Sequence, residues 1–167
     1  MEFSIKTIIL FSAVILTGLS AGLFYAWQVS VIPGTKHVPN LTYLETMQSI
    51  NRAILNPAFF LIFFGPLLLL GIAGIYAFHP SKLVFALLLV AFMSYLGGTF
   101  GVTVLGNVPL NNKLDALNLA DLQTAKLAEF RSYYEPNWNK LHLIRTAFSA
   151  LSFLFSLAAV FAQLKNF

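Results

Sequence analysis

Trp138, His142 and Arg145 are spaced so that, on a helix, they share one face, with Ser149 a further turn along. Together they offer an aromatic surface, a base that titrates near neutrality and a permanent cation. Such a line of groups suits the recognition of an anion or an enolate. An arginine near the start of a helix stands where the macrodipole favours anions, so an anionic ligand or a nearby carboxylate would relieve it. The alternative is that Arg145 snorkels to lipid headgroups. Two further polar clusters stand out. Asn107-Val108-Pro109-Leu110-Asn111-Asn112 brings three amides around one proline and reads as a rigid turn with a helix cap at Asn111 or Asn112, supported by Asp115. One cap does not obviously use all three amides, so Asn107 either belongs to the turn or faces a pocket. Asn51-Arg52 precedes Asn56-Pro57, where Asn56 reads as an N-cap and Pro57 as the first helical residue. Asn51 and Arg52 either touch headgroups or belong to a site.

The rest of the chemistry is narrowed by what is missing. The chain has no Cys, so disulfides, thiolate metal sites and cysteine nucleophiles are excluded. His37, His79 and His142 are its three histidines, and no HExxH or Glu-x-x-His arrangement is present. A mixed site from His37, His142 and Glu45 is the one metal arrangement left open. Gly97, Gly98 and Gly101 lack the strand–turn–helix setting of a dinucleotide fingerprint, and there is no P-loop. Nothing resembles a buried acidic relay or a charge ladder for ion passage.

These groups sit in a chain of 167 residues, 58% hydrophobic and 10% charged, far from the roughly 25% charged that soluble domains carry. The composition excludes disorder and points to an all-α integral membrane protein, a four-helix bundle forming one domain over residues 1–167. Spans are expected at about 8–31, 57–78, 82–105 and 143–164, each near the roughly 20 residues needed to cross hydrocarbon. Trp27 reads as an interfacial anchor of the first span. Pro66 falls inside the second span, and His79-Pro80-Ser81 makes the turn out of it. The glycines late in the third span let a neighbouring helix come close or leave room for a ligand.

Four crossings put both termini and the turn at His79 on one side. That side carries Lys6, Lys82 and Lys165 against Glu2. The long connections, 32–56 and 106–142, lie on the other side with the remaining seven basic residues and five acids. Counted strictly, Lys and Arg near the span ends allow either orientation; the cleanly basic short side favours cytoplasmic termini, in a bacterial inner membrane. Leu44, Met47, Ile50 and Ile54 mark an amphipathic helix at about 41–55, and Leu114, Leu117, Leu122 and Leu127 another at about 112–131, with Pro136 breaking the chain afterwards. The net charge of +4 is spread along the chain, so membrane lipid, and no nucleic acid, is the expected partner.

The chain resembles the DUF1772, or anthrone oxygenase, family of small membrane proteins with four predicted spans. The resemblance is carried by Gly18 through Trp27 with Ser30 and Pro33-Gly34, then by Met47 through Pro57. It continues in Thr103 through Asn107-Val108-Pro109-Leu110-Asn111 and closes with Trp138-Asn139 and Arg145-Thr146. It covers nearly the whole chain, with the four motifs in order. The resemblance implies oxidation of an anthrone-like or quinone-like aromatic substrate by molecular oxygen without a bound cofactor. His142 or a nearby group would then deprotonate the activated methylene, and Arg145 with Asn107 and Asn111 would hold the enolate oxygen. Asn51, Arg52, Trp138 and Asn139 are the accompanying substrate-binding candidates. The competing expectation is a non-enzymatic protein that binds a lipid or small hydrophobic ligand or serves in assembly, with Arg145 paired to Glu135 or Glu129. A cavity between the glycine-rich end of the third span and the Trp138–Arg145 face would separate the two; a dry contact there favours the second.

Overall fold

A computed structural model describes residues 4–164. Glu2 and Lys165, which entered the charge count of the short side, lie outside the described residues. Within them the fold is all-α. Four helices are long and apolar enough to cross a membrane: α1 (Ile5–Thr35), α3 (Pro57–Ala77), α4 (Lys82–Asp115) and α5 (Thr124–Leu164). A shorter helix, α2 (Asn40–Ala53), follows α1. α1 and α4 each pack on both α3 and α5. On α1, Ile8, Phe11, Ile15 and Leu19 form an exposed apolar stripe, while Leu10, Ala13, Val14 and Phe24 are buried.

The starts of the helices follow their sequence signals. Asn56 accepts the Phe59 amide at 3.0 Å with Pro57 in the first turn, as the Asn-Pro pair predicts. Ser4 caps α1 through the Thr7 amide at 3.3 Å, and Ser81 caps α4 through the Val84 amide at 3.4 Å.

The long side is built differently from the expectation. α1 does not stop at Val31: a widened π turn at Trp27–Val31 carries it on to Thr35. α4 likewise passes through π segments at Ser94–Gly101 and Thr103–Asn107, so the stretch around Pro109 is helical rather than a turn. Pro109 stands just after the second π segment, where the hydrogen-bond register is already changing and a missing N–H costs least. Asn111 is consequently inside α4 and caps nothing, and Asp115 closes the helix rather than supporting its start. The single helix expected at about 112–131 is three pieces: the end of α4, a 3₁₀ turn at Leu119–Asp121 and the start of α5. Its four leucines nevertheless serve one apolar cluster with Tyr43, Leu44 and Met47: Leu114 and Leu127 are buried in it, and Leu117 and Leu122 pack against it. Pro136 does not break the chain, since α5 runs continuously from Thr124 to Leu164. One proline removes one bond, and the Asn137 side-chain amide donates to the Tyr133 carbonyl at 2.7 Å on the same turn.

Helix ends on this side are closed by side chains. Arg131, 8% exposed, donates to the carbonyls of Thr35, Lys36 and Val38 at 3.2, 3.0 and 2.6 Å, and pairs with Glu135 at 2.6 Å. A cation is thereby set against the carbonyl end of α1, where the macrodipole favours it. Its guanidinium also lies 4.3 Å from the centre of the Tyr43 ring. Burial raises the Tyr43 hydroxyl well above its ordinary pKa, with Glu135 adding to the effect. Gln48 does for α4 what Arg131 does for α1, donating to the carbonyls of Leu114 and Leu117 at 2.8 and 3.0 Å.

The interior thus has two apolar clusters, one around Leu10, Leu70, Leu88 and Tyr95, the other around Tyr43, Met47, Leu114 and Trp138. On α5, His142 and Arg145 fall between Trp138, which belongs to the second, and Ala159, which belongs to the first.

Candidate functional site

Trp138, His142, Arg145 and Ser149 share the buried face of α5, as their spacing predicts. His142 is fully buried. Its Nε2 lies 3.0 Å from the Phe24 carbonyl, which can only accept, so Nε2 carries the proton. Nδ1 is therefore the acceptor, and Arg145 fills it twice, from Nε at 3.1 Å and Nη2 at 2.9 Å. The imidazole stacks nearly parallel on Trp138, with ring centres 5.0 Å apart and planes 7° from parallel.

Arg145 is 8% exposed, and none of the ion pairs among the described residues involves it. Nη1 reaches Thr103 Oγ1 at 3.4 Å. The guanidinium sits 4.7 Å from the centre of the Phe24 ring and 5.1 Å from that of Trp138. Guanidinium has five N–H donors. Nε, one N–H of Nη2 and one of Nη1 are engaged, leaving one donor on each terminal nitrogen without a protein partner among the described residues. Arg145 is enclosed by protein rather than extended to the surface of the helices. Nor does it pair with Glu135 or Glu129, which are bound by Arg131 at 2.6 Å and Lys126 at 2.8 Å.

Beside this group is a cavity of about 170 Å³ where α1, α2, α4 and α5 meet. An apolar cavity of about 150 Å³ holds a benzene ring. Trp27, Trp138, His142 and Arg145 line it, as do Asn51, Arg52, Asn111 and Thr103. Trp27 is a wall of this cavity, its ring centre 5.8 Å from that of Trp138. A polar relay joins the walls: Asn51 donates to the Tyr134 hydroxyl at 3.3 Å, and Tyr134 donates to Asn111 Oδ1 at 3.1 Å. The Trp138 indole donates to that same Asn111 oxygen at 2.9 Å. Asn111 Oδ1 is thereby doubly used, while its amide donors have no protein partner among the described residues.

Of the residues singled out in the sequence, His142, Arg145, Asn111, Asn51, Arg52 and Trp138 come together on this cavity. Asn107 and Asn139 do not line it. Asn107 is fully buried and donates to the Trp138 carbonyl at 3.3 Å, with its own Oδ1 unpartnered. Asn139 is half-buried elsewhere on α5. Sequence reasoning missed Phe24, Trp27, Thr103 and Asp115. The i, i+3 aromatic pair Phe24/Trp27 was the available signal, but Phe is so frequent here that it carries little weight. Among the described residues no group of three His, Asp or Glu is placed to hold a metal ion, and His37 is exposed, away from buried His142.

The glycines of α4 have separate roles. A methyl group at Gly98 would overlap Phe148, so α4 and α5 meet closely there, whereas nothing lies near Gly97. That contact brings Thr99 to the Arg145 carbonyl at 3.4 Å.

No curated protein and no solved structure matches the chain. The family model described as anthrone oxygenase matches residues 59–155, more than half of the sequence, and its span includes Asn111, Trp138, His142 and Arg145. The chain belongs to the anthrone oxygenase family.

Proposed function

We propose that the protein takes an enolisable, planar aromatic ketone of the anthrone or quinone-like class from the bilayer and promotes its oxidation by dioxygen. The observation that carries this reading is Arg145: a buried cation, without a carboxylate, lining an aromatic-walled cavity with two N–H donors unspent. A buried charge left without a partner is costly. An enolate oxygen placed against it would supply the missing anion, and the stabilisation would grow as charge develops on that oxygen.

In this reading the four long helices cross the membrane as a bundle, and the protein's task is to favour the substrate anion. Loss of a proton from the activated methylene leaves an electron pair delocalised onto the ring carbonyl, held by Arg145 with Asn111. The carbanion passes electrons to dioxygen. One oxygen atom ends in the new carbonyl and the other in water, so the methylene and one dioxygen become a carbonyl and one water. His142 has both ring nitrogens engaged, so its role here is to aim the guanidinium rather than to take the proton. Asn107 acts one step removed, through the Trp138 backbone. The purely structural alternative draws less support, because its carboxylate partners for Arg145 are committed elsewhere; the close packing it expects is present where Gly98 meets Phe148, and the cavity opens beyond that contact, from Thr103 onward.

The test is oxygen uptake by purified protein given anthrone, comparing wild type with Arg145→Lys and Arg145→Ala, each with and without chelator. Wild type should exceed the spontaneous rate and both variants should lose about 100-fold, the scale of one oxyanion donor. Lys keeps the charge but not the planar fork, so it should not rescue. Unchanged uptake in Arg145→Ala would overturn the reading, and loss on chelation would replace it with metal chemistry.

A further inference from the structure

The proposed oxidation needs a proton acceptor, and the cavity offers two candidates. His142 can accept only at Nδ1, which means ejecting two Arg145 donors and placing an imidazolium against a guanidinium. The other is Asp115, the carboxylate among the cavity's lining residues. It sits at the carbonyl end of α4, where the helix dipole disfavours negative charge, and Arg52 of α2 answers it: Nε donates to Oδ1 at 2.5 Å. Oδ2 has no partner among the described residues. The Asp115 side chain is 50% exposed, whereas Arg145 is 8% exposed, so the cavity reaches from a solvated carboxylate to a buried cation.

We propose that Asp115 is the general base of this site. The inference rests on reading the cavity as an enolate site. The C–H bond of the activated methylene breaks, its proton goes to the Asp115 carboxylate, and its electron pair moves to the carbonyl oxygen held by Arg145. Dioxygen later removes those electrons. The solvent-exposed position lets Asp115 hand its proton to water and reset. Arg52 is a positioning residue that keeps the carboxylate aimed at the cavity.

Asp115→Ala, Arg52→Ala and Arg145→Ala are compared with wild type in the oxygen-uptake assay with anthrone, with and without added formate. Binding is followed separately, with anthraquinone, which has no methylene proton to lose. Trp27 and Trp138 are the two tryptophans of the chain and both line the cavity, so quenching of intrinsic fluorescence reports occupancy directly. Asp115→Ala should lose about 100-fold or more in uptake, as expected on removing a general base, while still quenching like wild type. Formate, which replaces the lost carboxylate, should restore part of the rate. Arg52→Ala breaks the same ion pair but keeps the carboxylate, so it should lose less and ignore formate. Wild-type uptake in Asp115→Ala, or equal losses in both variants without formate rescue, overturns the assignment of the base alone. Absence of uptake in wild type overturns the enolate reading and this assignment together.

Discussion

His142 is the residue on which the site's geometry turns. A carbonyl on one side fixes its proton on Nε2, and that leaves Nδ1 as a fixed acceptor for a guanidinium. The ring is further clamped by stacking on Trp138, so the cation it holds is held in one orientation. His142→Phe keeps an aromatic ring for Trp138 but removes the acceptor. Two Arg145 donors would be stranded in a buried position, with an expected loss of about 2 kcal/mol of stability. Thermal melting in detergent measures that loss. If His142 acts by aiming Arg145, oxygen uptake should fall in the same variant while anthraquinone still quenches the tryptophans. A variant that melts like wild type would show that the Nδ1 contacts contribute little.

Between elements, the decisive contact is the approach of α4 to α5 at Gly98 and Phe148. It lies beside the contacts of Thr99 with the Arg145 carbonyl and of Thr103 with the guanidinium. Gly98→Ala should cost about 1–3 kcal/mol, the range for overpacking a close contact, and should weaken uptake by moving Thr103 away from the guanidinium. In the double variant Gly98→Ala/Phe148→Ala the overlap is gone, so the two losses should fall clearly short of adding. Melting curves of the four proteins check this, and simple additivity would place the strain elsewhere. The same elements show what the sequence conveys and what it does not. The spans are legible because apolar length is a property of the chain alone, and Trp138, His142 and Arg145 are legible because helical spacing is local. The π segments are not: nothing in Trp27–Val31 or Thr103–Asn107 announces a widened turn, and each moves a helix end well past its expected place. Asp115 looked like part of a cap because its partner, Arg52, is far away in sequence. Asn107 looked like a cavity residue because its burial behind Trp138 depends on where α4 meets α5.

At the scale of the whole molecule, the site lies on the side of the long connections, away from the turn at His79 and the described start of α1. The two apolar clusters divide the interior, and the cavity adjoins the one capped by α2. Lys6 and Lys82 stand on the opposite side with no described acid beside them, and we propose that this side faces the cytoplasm, although the long side holds more Lys and Arg. On this orientation α2, Arg52 and Asp115 face away from the cytoplasm, and a bilayer-borne substrate meets the cavity at the outer half of the membrane. The chain lacks Cys, so single cysteines can be introduced without background. His79 and Lys36 are both exposed, one on each side. In intact cells a membrane-impermeant maleimide should label Lys36→Cys at once and His79→Cys only after permeabilisation. The reverse pattern would turn the cavity to the cytoplasm, and Asp115 would then release its proton there. Labelling of both in intact cells would contradict the assignment of these two positions to opposite faces.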